Sequence, residues 1–359
     1  MRSSLLALLA VAVAQAAPDP KDVKAVADDA VAALKKMQKK DGSFGNKRMA
    51  PGVTALAVAA LLRNGADAKD EAVANGLKYL EGLVKKDGGI HGGGLANYTT
   101  SIAIVALKEA NKDGKYDAIL KNAVAFLKKL QEDDPASKGI WLGGATYNGD
   151  GKGKPDLSNT QMFLDGLLAA GVPKDDPAVK NALEFIRRCQ NFPDKEKGNP
   201  LPFAEKTKEE DKGGFVYRID TDEKGHAVGD GGLRSAGAMT YAGLKSFLYA
   251  GVKKDDPRVK AAVGWIKKNY TLEENPGMEK RGLYYYYHTF AKAFDALGDD
   301  TFETADGKKR DWRADLLAAL KKRQNKDGSF ANPGDKTFME GEPAIATSFA
   351  LLALSYAKK

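Results

Sequence analysis

Two kinds of apolar pattern alternate along the chain, and together they predict a helical fold. In the first kind, apolar residues recur at helical spacing on one face while lysines and aspartates occupy the other, which is typical of a helix with one exposed face. The second kind is apolar all round, as in residues 53–62, 102–107 and 344–354. A helix of that kind is buried on all sides. The alternation therefore predicts outer helices paired with inner helices.

An internal repeat underlies this alternation. Residues 171–190 match residues 251–270 at ten of twenty positions, and residues 35–44 match residues 321–330 at eight of ten. A unit begins with the charged helix, which Asp176 or Asp256 of an Asp-Asp-Pro start is expected to cap. A glycine-rich loop follows, and a threonine then opens the apolar helix. Six threonines fit this place, and they predict six units: Thr54, Thr100, Thr160, Thr240, Thr289 and Thr347.

Six helical hairpins can either stack into an open array or close into a ring. An open array usually carries polar repeats at its ends. The last apolar helix, around residues 348–354, is as apolar as the others. We therefore predict an all-α fold, an α/α toroid (α6–α6 barrel) of six helical-hairpin repeats, forming a single domain over residues 17–359.

The first sixteen residues have the layout of a secretory signal peptide. Arg2 precedes an apolar run over residues 5–13, and Ala14-Gln15-Ala16 is a small-x-small cleavage site. The apolar run is too short to span a bilayer. We expect residues 1–16 to be removed and the protein to be exported, to the periplasm or the extracellular space, with no transmembrane segment.

The net charge of +8 comes mostly from lysines that are spread along the chain rather than clustered. A nucleic-acid interface needs basic residues concentrated on one surface, so no nucleic-acid partner is expected. Dispersed lysines near helix C-termini instead offset the negative end of the helix dipole and extend into solvent. Weak peripheral contact with anionic lipid remains open on charge alone.

Two sets of residues resemble the terpenoid cyclase and protein prenyltransferase superfamily. Gln38 with Gly42-Ser43-Phe44, Gln324 with Gly328-Ser329-Phe330, and Gln131 with Gly139-Ile140-Trp141 resemble the Gln-Trp motif of squalene cyclases. In that motif the glutamine binds neighbouring backbone and clamps adjacent units. The segment Tyr286-Tyr287-His288-Thr289 is similar to the prenyltransferase segment whose histidine binds zinc. The resemblance implies the same α/α toroid.

The chemistry that the resemblance implies is only partly supported by the residues. The two zinc ligands that would accompany His288 fall on Ala238 and Thr240, which cannot bind zinc, so we expect no metal and no cofactor. His288 can still bind a ligand head group or shuttle a proton. The Asp-x-Asp-Asp acid cluster of squalene cyclases is absent from the heads of the inner helices.

Three carboxylates are candidate acids in place of that cluster. Asp165 lies in an apolar helix, where an unpaired carboxylate has a raised pKa and can serve as a general acid, although an outward or paired structural acid is the commoner case. Glu340 and Glu342 precede the last inner helix, where they are either acids at the barrel mouth or first-turn carboxylates favoured by the helix dipole. Whether the protein is an enzyme stays open.

Aromatic residues collect in the glycine-rich loops and the first turns after them, which converge on one mouth of the predicted barrel. We predict a ligand-binding set at this mouth: Tyr98, Tyr241, Tyr284, Tyr285, Tyr286, Tyr287 and His288. The favoured hypothesis is a cavity that binds an apolar, isoprenoid-like small molecule or lipid without a recognisable catalytic motif. The alternatives are an active terpenoid cyclase or isomerase with a non-standard acid, and a glycan-binding or glycan-cleaving barrel.

Overall fold

A computed structural model describes residues 17–132, 139–148, 153–220 and 232–358. The predicted signal peptide lies outside the described residues. Six helices form an outer layer: α1 (Pro20–Lys36), α3 (Glu71–Glu81), α5 (Asp117–Leu130), α7 (Pro177–Arg188), α10 (Pro257–Asn269) and α12 (Trp312–Arg323). Six form an inner layer: α2 (Ala50–Arg63), α4 (Ala96–Ala110), α6 (Leu157–Ala169), α9 (Gly237–Tyr249), α11 (Leu283–Leu297) and α13 (Pro343–Ala357). The remaining described elements are the short helix α8 (Pro202–Glu205), a 3-10 turn (Glu209–Asp211) and an antiparallel hairpin of β1 (Thr301–Glu303) and β2 (Lys309–Asp311).

The inner helices form a closed ring. Each packs against the next along the chain, and α13 packs against α2, which joins the last unit to the first. The outer helix α1 also contacts the inner helix α13, so the first unit packs on the last through both of these helices. The closed ring confirms the predicted all-α toroid. No helix in the described ranges is both long enough and apolar enough to be a membrane-spanning segment.

The outer helices begin where the Asp-Pro signals predict. The side chain of Asp176 accepts a hydrogen bond from the backbone N–H of Ala178 at 2.9 Å, and Asp256 does the same for Arg258 at 2.9 Å. These caps satisfy donors that the helix itself leaves unpaired. The proline that follows each aspartate takes the first helical position, where its missing N–H removes no bond.

Glutamines clamp neighbouring units together, as the resemblance implied. Gln38 donates to the carbonyls of Gly42 at 3.0 Å and of Ala72, in the next outer helix, at 2.7 Å. Gln324 donates to Gly328 and, across the point of ring closure, to Val26 of α1, both at 3.0 Å. Gln131 and Gln190 make the same pair of bonds in their units.

The Gln131 motif was predicted in the wrong register. Its glutamine binds Gly143, not Gly139, at 3.0 Å. Gly143 has a φ of 83°, and a Cβ there would stand 2.0 Å from a backbone oxygen of α7, so only glycine fits this approach. Ala145, two residues later, takes the place of Phe44, and Trp141 packs elsewhere against the core. Loop length, which varies between units, caused the error.

The threonine row holds in five units and fails in the fifth. In the five, the threonine Oγ1 accepts the backbone N–H of a loop residue, as Thr54 does from Phe44 at 2.9 Å. Thr289 instead donates to the carbonyl of Tyr286 within α11. Nearby, the hydroxyl of Tyr287 donates to the loop carbonyl of Leu272 at 2.5 Å, so a tyrosine rather than the threonine bonds the loop in this unit. Helix α11 begins at Leu283, before the four tyrosines, rather than at Thr289.

Candidate functional site

A cavity of about 870 Å³ lies at one mouth of the barrel, where the N-terminal turns of the inner helices converge. All six inner helices contribute to its wall. The apolar part of the wall includes Val53 and Leu56 of α2, Ile102 of α4, Met239 of α9 and Ile345 of α13. The volume falls within the range of about 300–1,000 Å³ that small-molecule sites occupy.

Aromatic side chains complete the wall. Tyr98 packs beside Tyr147 with ring centroids 6.3 Å apart, and the hydroxyls of Tyr147 and Tyr217 are 3.1 Å apart. Tyr217 in turn lies 6.2 Å from Phe338, centroid to centroid. These four residues, with Tyr285, line the cavity. Tyr147 is 39% exposed, so the aromatic wall reaches the protein surface.

Only two of the seven predicted ligand-binding residues line this cavity, Tyr98 and Tyr285. Residues adjacent on a helix point about 100° apart, so four consecutive tyrosines cannot share one face. The hydroxyls of Tyr286 and Tyr287 donate to loop carbonyls, and Tyr284 packs against Phe330. The prediction was therefore wrong for these three tyrosines.

Tyr241 and His288, also predicted to bind ligand, lie away from the cavity wall. Tyr241 belongs to a buried aromatic cluster with Tyr286 and Phe290. His288 lies between the rings of Phe349 and Tyr356, with centroids 5.8 and 6.4 Å away. Its Nδ1 has no hydrogen-bond partner among the described residues. Burial and the nearby Lys292 hold the pKa of His288 well below its usual value, so the imidazole is neutral.

Asp165 is buried in the barrel between two lysines and does not line the cavity. Its Oδ1 is 2.7 Å from Nζ of Lys245, and its Oδ2 is 2.7 Å from Nζ of Lys292. Burial alone raises the pKa of Asp165, but the two ammonium groups outweigh it and lower the pKa to about 2. Of the two alternatives for Asp165, the structure therefore favours the paired structural acid over the general acid, because a carboxylate so acidic cannot hold a proton to donate.

Glu340 is the candidate acid that faces the cavity. Its side chain is fully buried, its Oε1 accepts the backbone N–H of Tyr285 at 2.8 Å, and its Oε2 accepts from Nδ2 of Asn332 at 3.2 Å. Burial raises its pKa to about 7, although these bonds favour the charged form. Glu342 is half-buried at the N-cap of α13, caps nothing with its side chain and is absent from the cavity wall.

Charged groups are sparse around the cavity. Besides Glu340, the wall contains the basic side chains of Lys47 and Arg48. Both are exposed and form no ion pair with a described residue. No three His, Cys, Asp or Glu side chains cluster as metal ligands anywhere in the described ranges. Ala238, one of the positions where a zinc ligand is missing, forms part of the wall.

Comparisons with known proteins show which fold this chain shares. A sequence model of the squalene-hopene cyclase C-terminal domain matches residues 47–200. No curated protein matches the chain. Among solved structures, the type II terpene cyclase MstE from Scytonema is 15% identical, with a TM-score of 0.52, over 95% of this chain and 99% of that one. The chain has the terpenoid-cyclase-like α/α-toroid fold. The predicted resemblance is thereby confirmed.

The toroid is shared by proteins of different activities. A protein from Actinoplanes is 15% identical, with a TM-score of 0.56, over 94% of this chain and 100% of that one. An inactive variant of an α-1,6-mannanase from Salegentibacter, in complex with α-1,6-mannotriose, is 13% identical, with a TM-score of 0.60, over 93% and 99%. At these identities the likeness carries the fold and not the chemistry.

Several residues of this cavity were not predicted from the sequence. Met49, Ser158, Phe338 and Phe349 all line it. Ser158 and Phe349 lie in the inner helices, where nothing in an all-apolar pattern marks which face points to the barrel axis. Phe338 follows a glycine-rich loop, as the predicted tyrosines do. The position after such a loop, which indicated Tyr98, was therefore a signal for Phe338 as well.

Proposed function

We propose that the protein binds an apolar, isoprenoid-like small molecule or lipid in the mouth cavity. The observation that carries the proposal is the cavity itself, which is ligand-sized and walled by aliphatic and aromatic side chains from all six inner helices. Burying apolar ligand surface against such a wall contributes roughly 25 cal/mol per Å². The sparse charge of the wall favours a ligand that is apolar over most of its surface.

An active cyclase or isomerase is a second candidate, and Glu340 is the observation that favours it. A carboxylic acid that faces the cavity with a pKa of about 7 is about half protonated near neutral pH and can give or take a proton there. Asp165 cannot take this role, because its paired carboxylate stays ionised. Turnover of squalene that persists in Asp165→Asn but vanishes in Glu340→Gln supports this candidate.

A glycan ligand is the third candidate. It is favoured by the likeness to the mannanase fold and by Tyr147 and Tyr217, whose rings and paired hydroxyls suit a sugar face. Binding of α-1,6-mannotriose, measured by calorimetry, tests this candidate directly. Mannotriose binding together with a lipid-free cavity contradicts the isoprenoid proposal.

The proposal is tested by mass spectrometry of organic extracts from the purified protein. The informative variant is Gly52→Phe, because Gly52 lines the cavity within α2 and a Cβ there has only an ordinary contact, 3.6 Å from Thr99 Oγ1. The matched control is Gly264→Phe in the outer helix α10, where a Cβ meets nothing within 4 Å. We expect a polyprenyl-like lipid with wild type and with the control, and none with Gly52→Phe. A lipid bound equally to all three contradicts the proposal.

A further inference from the structure

A buried chain of hydrogen bonds ends at the cavity wall. Lys245 Nζ donates to Gln161 Oε1 at 2.6 Å, and Gln161 Nε2 donates to the Tyr285 hydroxyl at 3.0 Å. The Tyr285 hydroxyl is 3.3 Å from that of Ser158. Lys245 and Gln161 are 0% and 1% exposed, whereas Tyr285 and Ser158 line the cavity.

The donor-to-acceptor direction of these hydrogen bonds is fixed at their buried end. An ammonium group has three donors and no acceptor, so Lys245 faces the amide oxygen of Gln161. The amide nitrogen of Gln161 then faces Tyr285, and the tyrosine oxygen has to accept. Burial raises the pKa of Tyr285, so its hydroxyl keeps its hydrogen. Asp165, which accepts from Lys245 at 2.7 Å, holds the ammonium in place.

One hydroxyl hydrogen is then left over at the cavity wall. Tyr285 and Ser158 bring two hydroxyl hydrogens, and the contact between them uses one. Whichever hydroxyl donates, the other keeps a hydrogen for which the described residues offer no acceptor. This hydrogen is available at the cavity wall, where an acceptor on a ligand can take the place of water as its partner.

We propose that Tyr285 and Ser158 form a donor subsite, which selects apolar ligands that carry a hydrogen-bond acceptor such as an aldehyde, ketone or ester oxygen. This deepens the proposed function and rests on it, because the apolar remainder of the ligand fills the same cavity. The ring of Tyr285 packs edge-on against Phe349 at 5.5 Å, and Glu340 holds its backbone N–H, so the hydroxyl is held in position.

The test compares two C15 probes of the same chain, farnesene with no head group and farnesal with an aldehyde acceptor. Binding is measured by calorimetry at pH 6, below the pKa of about 7 at which Lys245 loses its charge. A neutral hydrogen bond predicts that wild type binds farnesal about 2- to 10-fold more tightly than farnesene. In the double variant Tyr285→Phe with Ser158→Ala, which removes both hydroxyls, we expect that preference to fall to about 1, since a net neutral bond is lost.

The Gln161→Glu variant tests the direction of the chain while keeping both hydroxyls. A carboxylate at this position accepts from Lys245 and also from Tyr285, so the tyrosine hydrogen turns away from the cavity and Ser158 donates to the tyrosine oxygen. No hydrogen is left over, and the preference for farnesal is expected to disappear. The added negative charge also balances Lys245 and Lys292 against Asp165, which favours folding of the variant.

The outcomes separate the two proposals. If wild type binds farnesene and farnesal equally, the donor subsite is wrong while the apolar cavity stands. The same holds if the double variant Tyr285→Phe with Ser158→Ala and the variant Gln161→Glu both keep the wild-type preference, which would assign it to another group such as Glu340. If neither probe binds wild type, the proposed function fails, and the donor subsite fails with it.

Discussion

The buried pairing of Asp165 with two lysines makes a strong prediction about stability. The Asp165→Asn change removes the carboxylate that contacts both ammonium groups, each of which lies 2.7 Å from it. Lys245 is 0% exposed and the Asp165 side chain is 8% exposed, so water replaces the lost charge poorly. Breaking a buried pair from one side typically costs about 3–5 kcal/mol. We expect a loss of that size in the free energy of unfolding at pH 6.

The loss is expected to shrink as the pH rises. Burial lowers the pKa of Lys245 to about 7 even with Asp165 present, and the pKa falls further without it. In the unfolded chain a lysine keeps its proton up to about pH 10.4. Between the lowered pKa of the variant and about pH 7, the native variant has lost this proton while native wild type and both unfolded chains keep it, so over that window the stability of the variant rises with pH relative to wild type.

Urea denaturation followed by circular dichroism at pH 6 and pH 9 measures both effects. The matched control is Asp175→Asn, which removes an exposed aspartate without a hydrogen bond to a described residue, and is expected to change stability by less than about 0.5 kcal/mol. Adding Lys245→Met to Asp165→Asn removes one unpaired charge and is expected to recover part of the loss. A loss below about 1 kcal/mol at pH 6, or one independent of pH, refutes the buried pairing.

Three further predictions follow from the fold and the site. Gln324→Ala removes two 3.0 Å bonds, to Val26 and Gly328, at the point of ring closure and is expected to lower the unfolding free energy by about 1–3 kcal/mol; an unchanged denaturation midpoint contradicts the clamp. Glu340, with its pKa raised from 4.5 to about 7, stabilises the fold below pH 4.5 and loses that contribution as the pH rises through 7. Wild type should therefore lose about 3 kcal/mol relative to Glu340→Gln across that window, and parallel pH profiles of the two proteins speak against this. N-terminal sequencing of protein secreted from its native host should begin at Ala17, whereas a retained full-length chain argues against export.

The sequence was sufficient for the architecture because the architecture depends on periodic features. All-apolar helices identify the inner layer, and Asp176 and Asp256 mark helix starts through a local capping bond. The glutamine clamp was also predictable, since Gln38 and Gln324 lie at a fixed distance from their glycines. Ring closure followed from the apolar character of the last inner helix.

The site was less predictable because an all-apolar pattern does not indicate which face of a helix points to the cavity. Four consecutive tyrosines indicate an aromatic region, but only packing decides that Tyr285 alone among them faces the cavity. The partners of Asp165 lie 80 and 127 residues away in sequence, so pairing could not be distinguished from a raised pKa. The error at Thr289 has the same origin, because only packing shows that its hydroxyl bonds within α11 while that of Tyr287 bonds the loop.

The central claim, that the mouth cavity binds an isoprenoid-like ligand, is tested most directly by photoaffinity labelling. A farnesyl probe that carries a diazirine is bound, irradiated and located by peptide mapping. We predict labels on the peptides that contain Met49, Tyr98 and Phe338, and competition by unlabelled farnesal. Gly52→Phe should abolish these labels, while Gly264→Phe keeps them. Labels scattered over the outer helices, or labels that farnesal does not displace, would contradict the claim.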